Sequence, residues 1–303
     1  MQLVIRHDDP NVFLHQSQII ERLQVMKIQE ATHYRCADYL SALPLTSNTV
    51  DQWCRSKMIA WSFEVIDFLG FNRSTVLTAL SYLDRFLSTG SPRAMRVIQS
   101  RKEFQLAMMT ALYTAIKLFE PKIVGTALLS ELSKGTYTEA DFKGMEVEML
   151  FDLNWLLNGP TAVSFLEHYL LLLPLKQFGI STDLILQNAQ YQIERSAHDY
   201  ELVRYNPSTI ALAAMVSSIK RITSTPDSAI YRSKLMKAVE EITATSLQSA
   251  SLRHILNRME QHDELPIIQS RRNSVPRQTA LSKKGTKQTR RGSKSYSPTC
   301  VQT

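Results

Sequence analysis

Two charged residues lie in apolar stretches of the chain, where an isolated charge is costly. Arg55 lies in the run CRSKMIAW of residues 54–61, and Asp84 lies in YLDRFL, residues 82–87. A buried charge needs a partner, so the expected arrangement is a mutual pair in which the guanidinium donates two hydrogen bonds to the carboxylate. The alternative is that both side chains point to solvent.

Lys117 and Glu146 are two further charged candidates, and local sequence offers each an ordinary role. Lys117 lies near the end of a predicted helix, where a cation complements the carbonyl end. Glu146 follows Lys143 by three positions, a spacing that allows an ion pair along one helix. His168 lies on an apolar helix and is expected to be a hydrogen-bonded packing residue rather than a metal ligand.

Local catalytic and nucleotide-binding motifs are missing from the sequence. Even the closest two glycines, Gly285 and Gly292, are too far apart for a GxGxxG or GxxxxGK loop. The histidines form no HExxH pattern, and there is no GxSxG segment. A catalytic site assembled from residues that are distant in sequence would not be found by such a search for local motifs. We therefore expect no catalytic residue, no cofactor and no metal.

The composition indicates a folded, helical protein. Of its 303 residues, 44% are hydrophobic and 21% are charged, which permits a core, and the length favours two domains. Nine glycines are few for a turn-rich β architecture. Cys36, Cys54 and Cys300 are widely separated, and neither a leader peptide nor a bilayer-spanning run is apparent. We therefore expect a reducing compartment and no membrane.

The spacing of apolar residues predicts an all-α chain arranged as two blocks. From residue 17 onward apolar residues recur three and four positions apart, and prolines, glycines and capping residues fall at the breaks. The linker Asn158-Gly159-Pro160 separates two sets of five helices, and one helix precedes them. The predicted helices span 17–43, then 49–70, 72–90, 93–120, 121–133 and 138–157, then 161–173, 182–200, 207–222, 227–243 and 245–262.

Basic residues are concentrated at the C-terminal end of the chain. Residues 266–303 carry nine positive charges and no acid, which leaves residues 1–265 at −2 out of a total of +7. We expect this tail to be disordered. A solubilising tail and non-specific phosphate binding are possible roles, whereas sequence-specific nucleic-acid binding is not expected. A third role, favoured here, is a two-part nuclear import signal read by an import receptor and formed by Arg271, Arg272, Lys283, Lys284 and Lys287.

Several segments, taken in order and with their spacing, resemble the cyclin box. They are residues 55–61 (RSKMIAW), 82–87 (YLDRFL), 115–120 (AIKLFE), 136–138 (TYT) with Met145 and Glu146, and 160–169 (PTAVSFLEHY). Residues 205–214 (YNPSTIALAA) resemble the second fold of the same family. The resemblance implies two tandem cyclin folds, over 49–158 and 159–263, between an N-terminal segment with a helix (1–48) and the tail (264–303).

The resemblance implies a kinase-binding role for Lys117 and Glu146, in place of the local roles considered above. In cyclins the lysine and glutamate at these positions pair, and the lysine contacts backbone carbonyls of a kinase beside its mobile helix. Leu118 and Trp155 match apolar contacts to the kinase. The family therefore implies a non-catalytic regulatory subunit that binds and activates a cyclin-dependent serine/threonine kinase, in control of the G1/S step of the cell cycle.

A docking groove for Arg-x-Leu peptides of substrates or inhibitors is also implied. Cys54 and Lys57 depart from the family pattern there, and a charge where an apolar peptide residue should rest predicts a weakened or altered groove. The groove positions with matching character are Trp61, Glu64, Arg101, Phe104 and Gln105.

The remaining family features concern subtype and location. Arg55 and Asp84 match the buried ion pair that joins the first two helices of the box. Residues 82–87, together with residues 165–169 and Pro174, are most like D-type (G1-type) cyclins. The Leu-x-Cys-x-Glu string with which D-type members bind retinoblastoma-type proteins is absent from the N-terminal segment. Arg253 to Leu256 weakly resembles a degradation box. Two alternatives to a cell-cycle cyclin are a transcriptional cyclin and a DNA-binding general transcription factor with two cyclin folds. We expect the protein in nucleus and cytoplasm.

Overall fold

The computed structural model describes residues 10–41, 48–122, 124–223 and 229–264, and all regular structure in these ranges is helical. This confirms the all-α fold class. None of the described helices is long and apolar enough to cross a membrane. The α-helices are α1 (Pro10–Ala31), α2 (Gln52–Leu69), α3 (Ser74–Ser88), α4 (Pro92–Ile98), α5 (Arg101–Phe119), α6 (Thr126–Leu132), α7 (Glu139–Asp152), α8 (Ala162–Leu172), α9 (Thr182–Ser196), α10 (Pro207–Ile222), α11 (Ala229–Thr243) and α12 (Ala250–Glu264).

The first helical unit, α2 to α7, is built around α5. This helix packs against α2, α3, α4, α6 and α7. Between Phe104 and Ile116 it is buried on almost every face, which is typical of a helix at the centre of a bundle. The surrounding helices each turn one apolar face toward it, so that they close a single core.

The second helical unit, α8 to α12, has α10 at its centre. Small residues along α10, including Ala211, Ala213 and Ala214, are fully buried and let α8, α9 and α12 approach closely. The N-terminal helix α1 also belongs to this core, where Leu23 and Met26 pack beside α8. The first helix in the sequence is therefore part of the second unit.

Two polar contacts at helix ends hold α1 in place. The Glu30 carboxylate accepts hydrogen bonds from both the backbone nitrogen and the hydroxyl of Ser208, at the start of α10. Asn206, the residue before α10, makes no side-chain capping bond, so Glu30 takes that role. One turn earlier in α1, Lys27 donates to the carbonyl oxygen of Thr243, the last residue of α11, at 2.7 Å.

The predicted helix over 17–43 is wrong at its C-terminal end, because α1 stops at Ala31. The segment that follows it, residues 32–41, crosses between the two units. The Tyr39 phenol donates to Asp84 of the first unit at 2.6 Å. The backbone nitrogens of Tyr39 and Leu40 both donate to the phenol oxygen of Tyr200 in the second unit. These tertiary hydrogen bonds replace the helical ones that the continuation of α1 would have made.

The single helix predicted over 93–120 is also wrong, since the structure has α4 and α5 there. The chain turns at Ser100, whose hydroxyl accepts a hydrogen bond from the backbone nitrogen of Glu103 and caps α5. The first unit therefore has six α-helices instead of five. Four helix starts also differ from the prediction: α1 begins at Pro10, α2 after an Asp51 cap, α6 at Thr126 and α12 at Ala250.

Candidate functional site

Lys117 and Glu146 form an ion pair that joins α5 to α7. The Lys117 ammonium nitrogen lies 2.6 Å from Oε1 of Glu146, and the same oxygen accepts a hydrogen bond from the Thr114 hydroxyl at 2.8 Å. The Glu146 side chain is 13% exposed and that of Lys117 is 44% exposed. Lys143, the local alternative, instead lies 3.8 Å from Glu139. A fixed carboxylate thus orients an ammonium group that keeps donors for another partner.

Large apolar side chains are exposed around this ion pair. They lie on α5, on α7 and on the turn after α7, and they are Leu118, Phe119, Val147, Phe151 and Trp155. We call these five side chains, together with Lys117, the α5–α7 surface. Single exposed apolar residues are ordinary, but a cluster beside an oriented charge is typical of a protein-binding site.

The turn after α7 holds Trp155 outward by an unusual backbone. Asn154 and Trp155 have φ angles of 52° and 59°, both in the left-handed region. Such a conformation costs about 1–2 kcal/mol for an L-residue other than glycine. The Trp155 backbone nitrogen donates to the carbonyl of Leu150, and its ring packs edge-on against Phe151 with centroids 6.0 Å apart. The result is a fixed aromatic pair, of which Trp155 is 60% exposed.

Arg55 and Asp84 form a bidentate ion pair between α2 and α3. The Arg55 guanidinium donates to both carboxylate oxygens, at 3.1 and 2.7 Å, and its remaining nitrogen donates to the carbonyl of Ala197 at 2.7 Å. Burial alone would lower the pKa of Arg55, but the Asp84 carboxylate offsets this and raises it. Burial and the Asp84 charge both raise the pKa of the Tyr39 phenol, so the phenol stays protonated and can donate its hydrogen bond.

The residues predicted to line a peptide-docking groove lie on α2 and α5. Trp61, Phe104 and Gln105 are buried, while Glu64 is exposed. The Oε1 atom of Gln105 has no hydrogen-bond partner among the described residues. The Arg101 guanidinium is already bound, to the Asp51 carboxylate at 3.2 Å and to the backbone carbonyl of residue 49 at 3.3 Å.

The two departures from the expected groove have different environments. Cys54 is fully buried. Lys57 is exposed, and its ammonium lies 5.3 Å from the centre of the Trp53 ring, which is itself about half exposed. The positive charge therefore lies on the outer face of α2, against an aromatic ring that stabilises it.

Both halves of the chain match a known family. Residues 21–158 match the model described as "Cyclin, N-terminal domain", and residues 160–295 match "Cyclin, C-terminal domain". The chain belongs to the cyclin family. A solved viral cyclin from herpesvirus saimiri has the same fold, with a TM-score of 0.57 at 14% identity over 82% of this chain and 97% of the viral one.

Several plant cyclins with different subtype names are similar to this chain. Cyclin-D3-3 of Arabidopsis thaliana is 29% identical over 188 residues, 60% of this chain and 49% of the relative. Cyclin-B2-2 of the same plant is 29% identical over 61% and 41%, and Cyclin-F2-2 of Oryza sativa subsp. japonica is 30% identical over 74% and 47%. The chain spans about half the length of these relatives. Because D-, B- and F-type names all occur, the D-type resemblance is only weakly supported.

Sequence reasoning missed Phe119, Val147 and Phe151 of the α5–α7 surface. In α7, Phe142, Met145 and Met149 already form the face that packs in the core. Val147 and Phe151, four positions apart, make a second apolar face that the core does not need. That surplus face was the signal available in the sequence.

Other predicted features of this cyclin lie elsewhere. The ring nitrogen Nδ1 of His168 lies 2.7 Å from the Ser164 carbonyl, as befits a packing residue. Leu256 is buried in the core of the second fold, so the intact fold does not present the string from Arg253 to Leu256. Within the described ranges no cluster of residues could hold a metal ion. The import-signal residues Arg271, Arg272, Lys283, Lys284 and Lys287 lie outside the described residues.

Proposed function

We propose that this cyclin is a non-catalytic regulatory subunit that binds and activates a cyclin-dependent serine/threonine kinase through the α5–α7 surface. The ion pair between Lys117 and Glu146, set among exposed apolar side chains, carries the proposal. A kinase would cover Leu118 and Trp155 and would receive hydrogen bonds from the Lys117 ammonium. Its own catalytic groups would then perform the phosphoryl transfer.

Activation follows if the cyclin binds the active conformation of the kinase more tightly than the inactive one. Moving an equilibrium from 1:99 to 99:1 requires a differential affinity of about 5.5 kcal/mol. An interface of roughly 2,000 Å², a common size for signalling assemblies, can supply that difference. The kinase lysine–glutamate pair and its metal-binding aspartate would then be aligned for catalysis.

The test is co-purification with a panel of cyclin-dependent kinases, followed by a histone phosphorylation assay. The double substitution Lys117→Ala with Glu146→Ala should weaken kinase binding by about tenfold or more, since charge-assisted hydrogen bonds contribute about 1.5–3 kcal/mol. The matched control is Lys143→Ala with Glu139→Ala, which removes an exposed pair of the same types from α7. Helicity should be unchanged in both. Equal kinase binding by both variants would remove the Lys117 pair from the interface.

We further propose that the groove between α2 and α5 binds Arg-x-Leu peptides with altered specificity. The exposed carboxylate of Glu64 suits a basic peptide residue. The exposed charge of Lys57 opposes the binding of an apolar peptide residue. Lys57→Ile should therefore strengthen binding of a labelled Arg-x-Leu peptide, whereas Lys143→Ile on α7 should not. Loss of affinity in Lys57→Ile would contradict this role for the lysine.

We also propose G1/S control and a nuclear as well as cytoplasmic location. The D-type character of residues 82–87 supports the first, and the paired basic clusters of the tail support the second. Changing Lys283, Lys284 and Lys287 together to alanine should reduce nuclear accumulation of a fluorescent fusion. An unchanged distribution would rule out the import signal.

A further inference from the structure

A cleft of about 130 Å³ lies between the two cyclin folds and shares no residue with the α5–α7 surface. Its walls are apolar and come from both folds: Leu77 and Leu80 of α3 face Ile193 of α9 and Ile210 of α10. An engineered apolar cavity of roughly 150 Å³ is known to hold one benzene molecule. The cleft is therefore large enough for about one ring.

The two carboxylates that line the cleft are already neutralised. Asp84 receives two hydrogen bonds from Arg55. Asp199 receives two from Arg258, at 2.6 and 2.7 Å. A negative ligand would therefore meet no uncompensated carboxylate in the lining.

One guanidinium of the lining has no such partner. Arg35, in the segment that crosses between the folds, is exposed, and it makes no hydrogen bond or ion pair with any residue that the structure describes. The third lining arginine, Arg204, binds the Glu201 carboxylate at 2.9 Å. The lining as a whole thus carries an excess positive charge, which Arg35 provides.

Helix ends add to this positive character. Pro160, Thr161 and Ala162 bring the N-terminus of α8 to the cleft, where the helix dipole favours a negative charge. The N-terminus of α10 also reaches the lining, but the Glu30 carboxylate already occupies it. The Thr161 hydroxyl caps α8 by accepting a hydrogen bond from the Ser164 backbone nitrogen, so Arg35 is the group of this set that remains for a ligand.

We propose that the cleft binds a small organic anion with an apolar body of about one ring, whose carboxylate pairs with Arg35. The apolar body packs between α3 of the first fold and α9 and α10 of the second. Because the ligand touches both folds, it stabilises one relative orientation of them. Pockets at domain interfaces with apolar walls and a few convergent polar groups are typical ligand sites.

The test is a ligand-observed NMR titration of the full chain, without any kinase, with benzoate as the probe. Benzamide, its neutral analogue, is the control probe. Benzoate should bind about tenfold or more tightly than benzamide, as expected when a charge-assisted contact is added. Arg35→Ala should abolish that preference. Arg253→Ala, which removes an exposed arginine from α12, should keep it. Ser81→Leu, which fills the cleft from α3, should block both probes.

Other results overturn the proposal. Equal affinities for the two probes would show that no cation of the lining recognises the ligand. Benzoate binding that persists in both Arg35→Ala and Ser81→Leu would place the probe elsewhere. Because Arg35 is exposed, its substitution should leave the thermal midpoint near that of the unmodified chain, and absence of benzoate binding to that chain would itself refute the site.

Discussion

The Arg55 guanidinium holds the Asp84 carboxylate with two hydrogen bonds at a place where the residues are only 2% and 6% exposed. The same guanidinium reaches the carbonyl of Ala197, so one side chain connects α2, α3 and the second fold. The pair lies apart from the α5–α7 surface. Its role is therefore to fix the arrangement of the folds.

Removing one partner of this pair should be strongly destabilising. Asp84→Ala leaves the Arg55 charge and the Tyr39 phenol without their shared acceptor, and loss of one member of a buried pair costs about 3–5 kcal/mol. Urea denaturation would measure the free energy of unfolding. Glu201→Ala, which breaks the exposed pair with Arg204, is the control and should cost less than about 1 kcal/mol. Similar losses for the two variants would contradict a structural role for the buried pair.

The fold class and the Arg55–Asp84 pair could be predicted from sequence because physical chemistry leaves few arrangements of low free energy for such residues. Apolar residues at helical spacing must face a core, and two opposite charges among apolar neighbours must meet each other or water. The break at Ser100 was not predicted, although Ser100 and Glu103 have the S-x-x-E spacing that is typical of a helix N-terminus. The apolar pattern runs through the break. The separation of α4 from α5 rests on the cap at Ser100 and on two tertiary backbone bonds, from Val50 to the Ile98 carbonyl and from Arg101 to the Asn48 carbonyl.

The ion pair of the candidate site also needs tertiary information. Lys117 and Glu146 are 29 positions apart, and Lys143 offers Glu146 an equally good partner within one helix. Only the packing of α5 against α7 brings Lys117 closer. Likewise, no local pattern connects Glu30 with Ser208, which are 178 positions apart. Resemblance to a family supplied the first of these pairs, and neither resemblance nor pattern supplied the second.

The Glu30 contact should make stability depend on pH. Burial raises the pKa of the Glu30 carboxyl above 4.5, although hydrogen bonds from Ser208 and the charge of Lys27 act in the opposite direction. The folded chain therefore holds this proton more tightly than the unfolded chain. Above pH 4.5 the free energy of unfolding should fall as pH rises, until the raised pKa is passed, by at most about 1.4 kcal/mol per pH unit.

Urea denaturation of the unmodified chain and of Glu30→Gln, at several pH values from about 4 to 7, would measure this effect. Relative to Glu30→Gln, the unmodified chain should lose stability as pH rises. Glu21→Gln removes the same charge from an exposed position of α1 and reports the effect of net charge alone. If the unmodified chain instead gains stability relative to Glu30→Gln as pH rises, hydrogen bonding outweighs burial in setting the pKa of Glu30.

The left-handed turn after α7 allows stability and kinase binding to be separated. Trp155→Gly relieves a positive φ and should not lower the free energy of unfolding by more than about 1 kcal/mol. It also removes an exposed aromatic anchor, and such residues commonly contribute 2 kcal/mol or more to binding, so the dissociation constant for the kinase should rise by about thirtyfold. Asn154→Gly relieves the neighbouring positive φ and should leave affinity unchanged. Normal binding by Trp155→Gly would exclude the indole from the interface.

Gly159, in the linker between the folds, should not tolerate even a methyl group. A Cβ atom there would lie 2.1 Å from Cδ1 of the Tyr34 ring, which also packs 4.4 Å from the Arg85 guanidinium. Gly159→Ala must displace the ring, and we expect a loss of about 1–3 kcal/mol in the free energy of unfolding. Gly144→Ala is the matched control. A methyl group added in α7 meets nothing within 4 Å and should stabilise the helix by about 0.5–1 kcal/mol.

A double-mutant cycle with Tyr34→Ala identifies the cause of the Gly159 effect. If the clash with the ring is responsible, Gly159→Ala should cost almost nothing once the ring is gone, and the coupling free energy should equal most of the single-mutant loss. A full loss in the Tyr34→Ala background would instead locate the requirement in the backbone of the linker. The cycle thus decides whether the segment after α1 and the linker between the folds are held together by the contact of Tyr34 with Gly159.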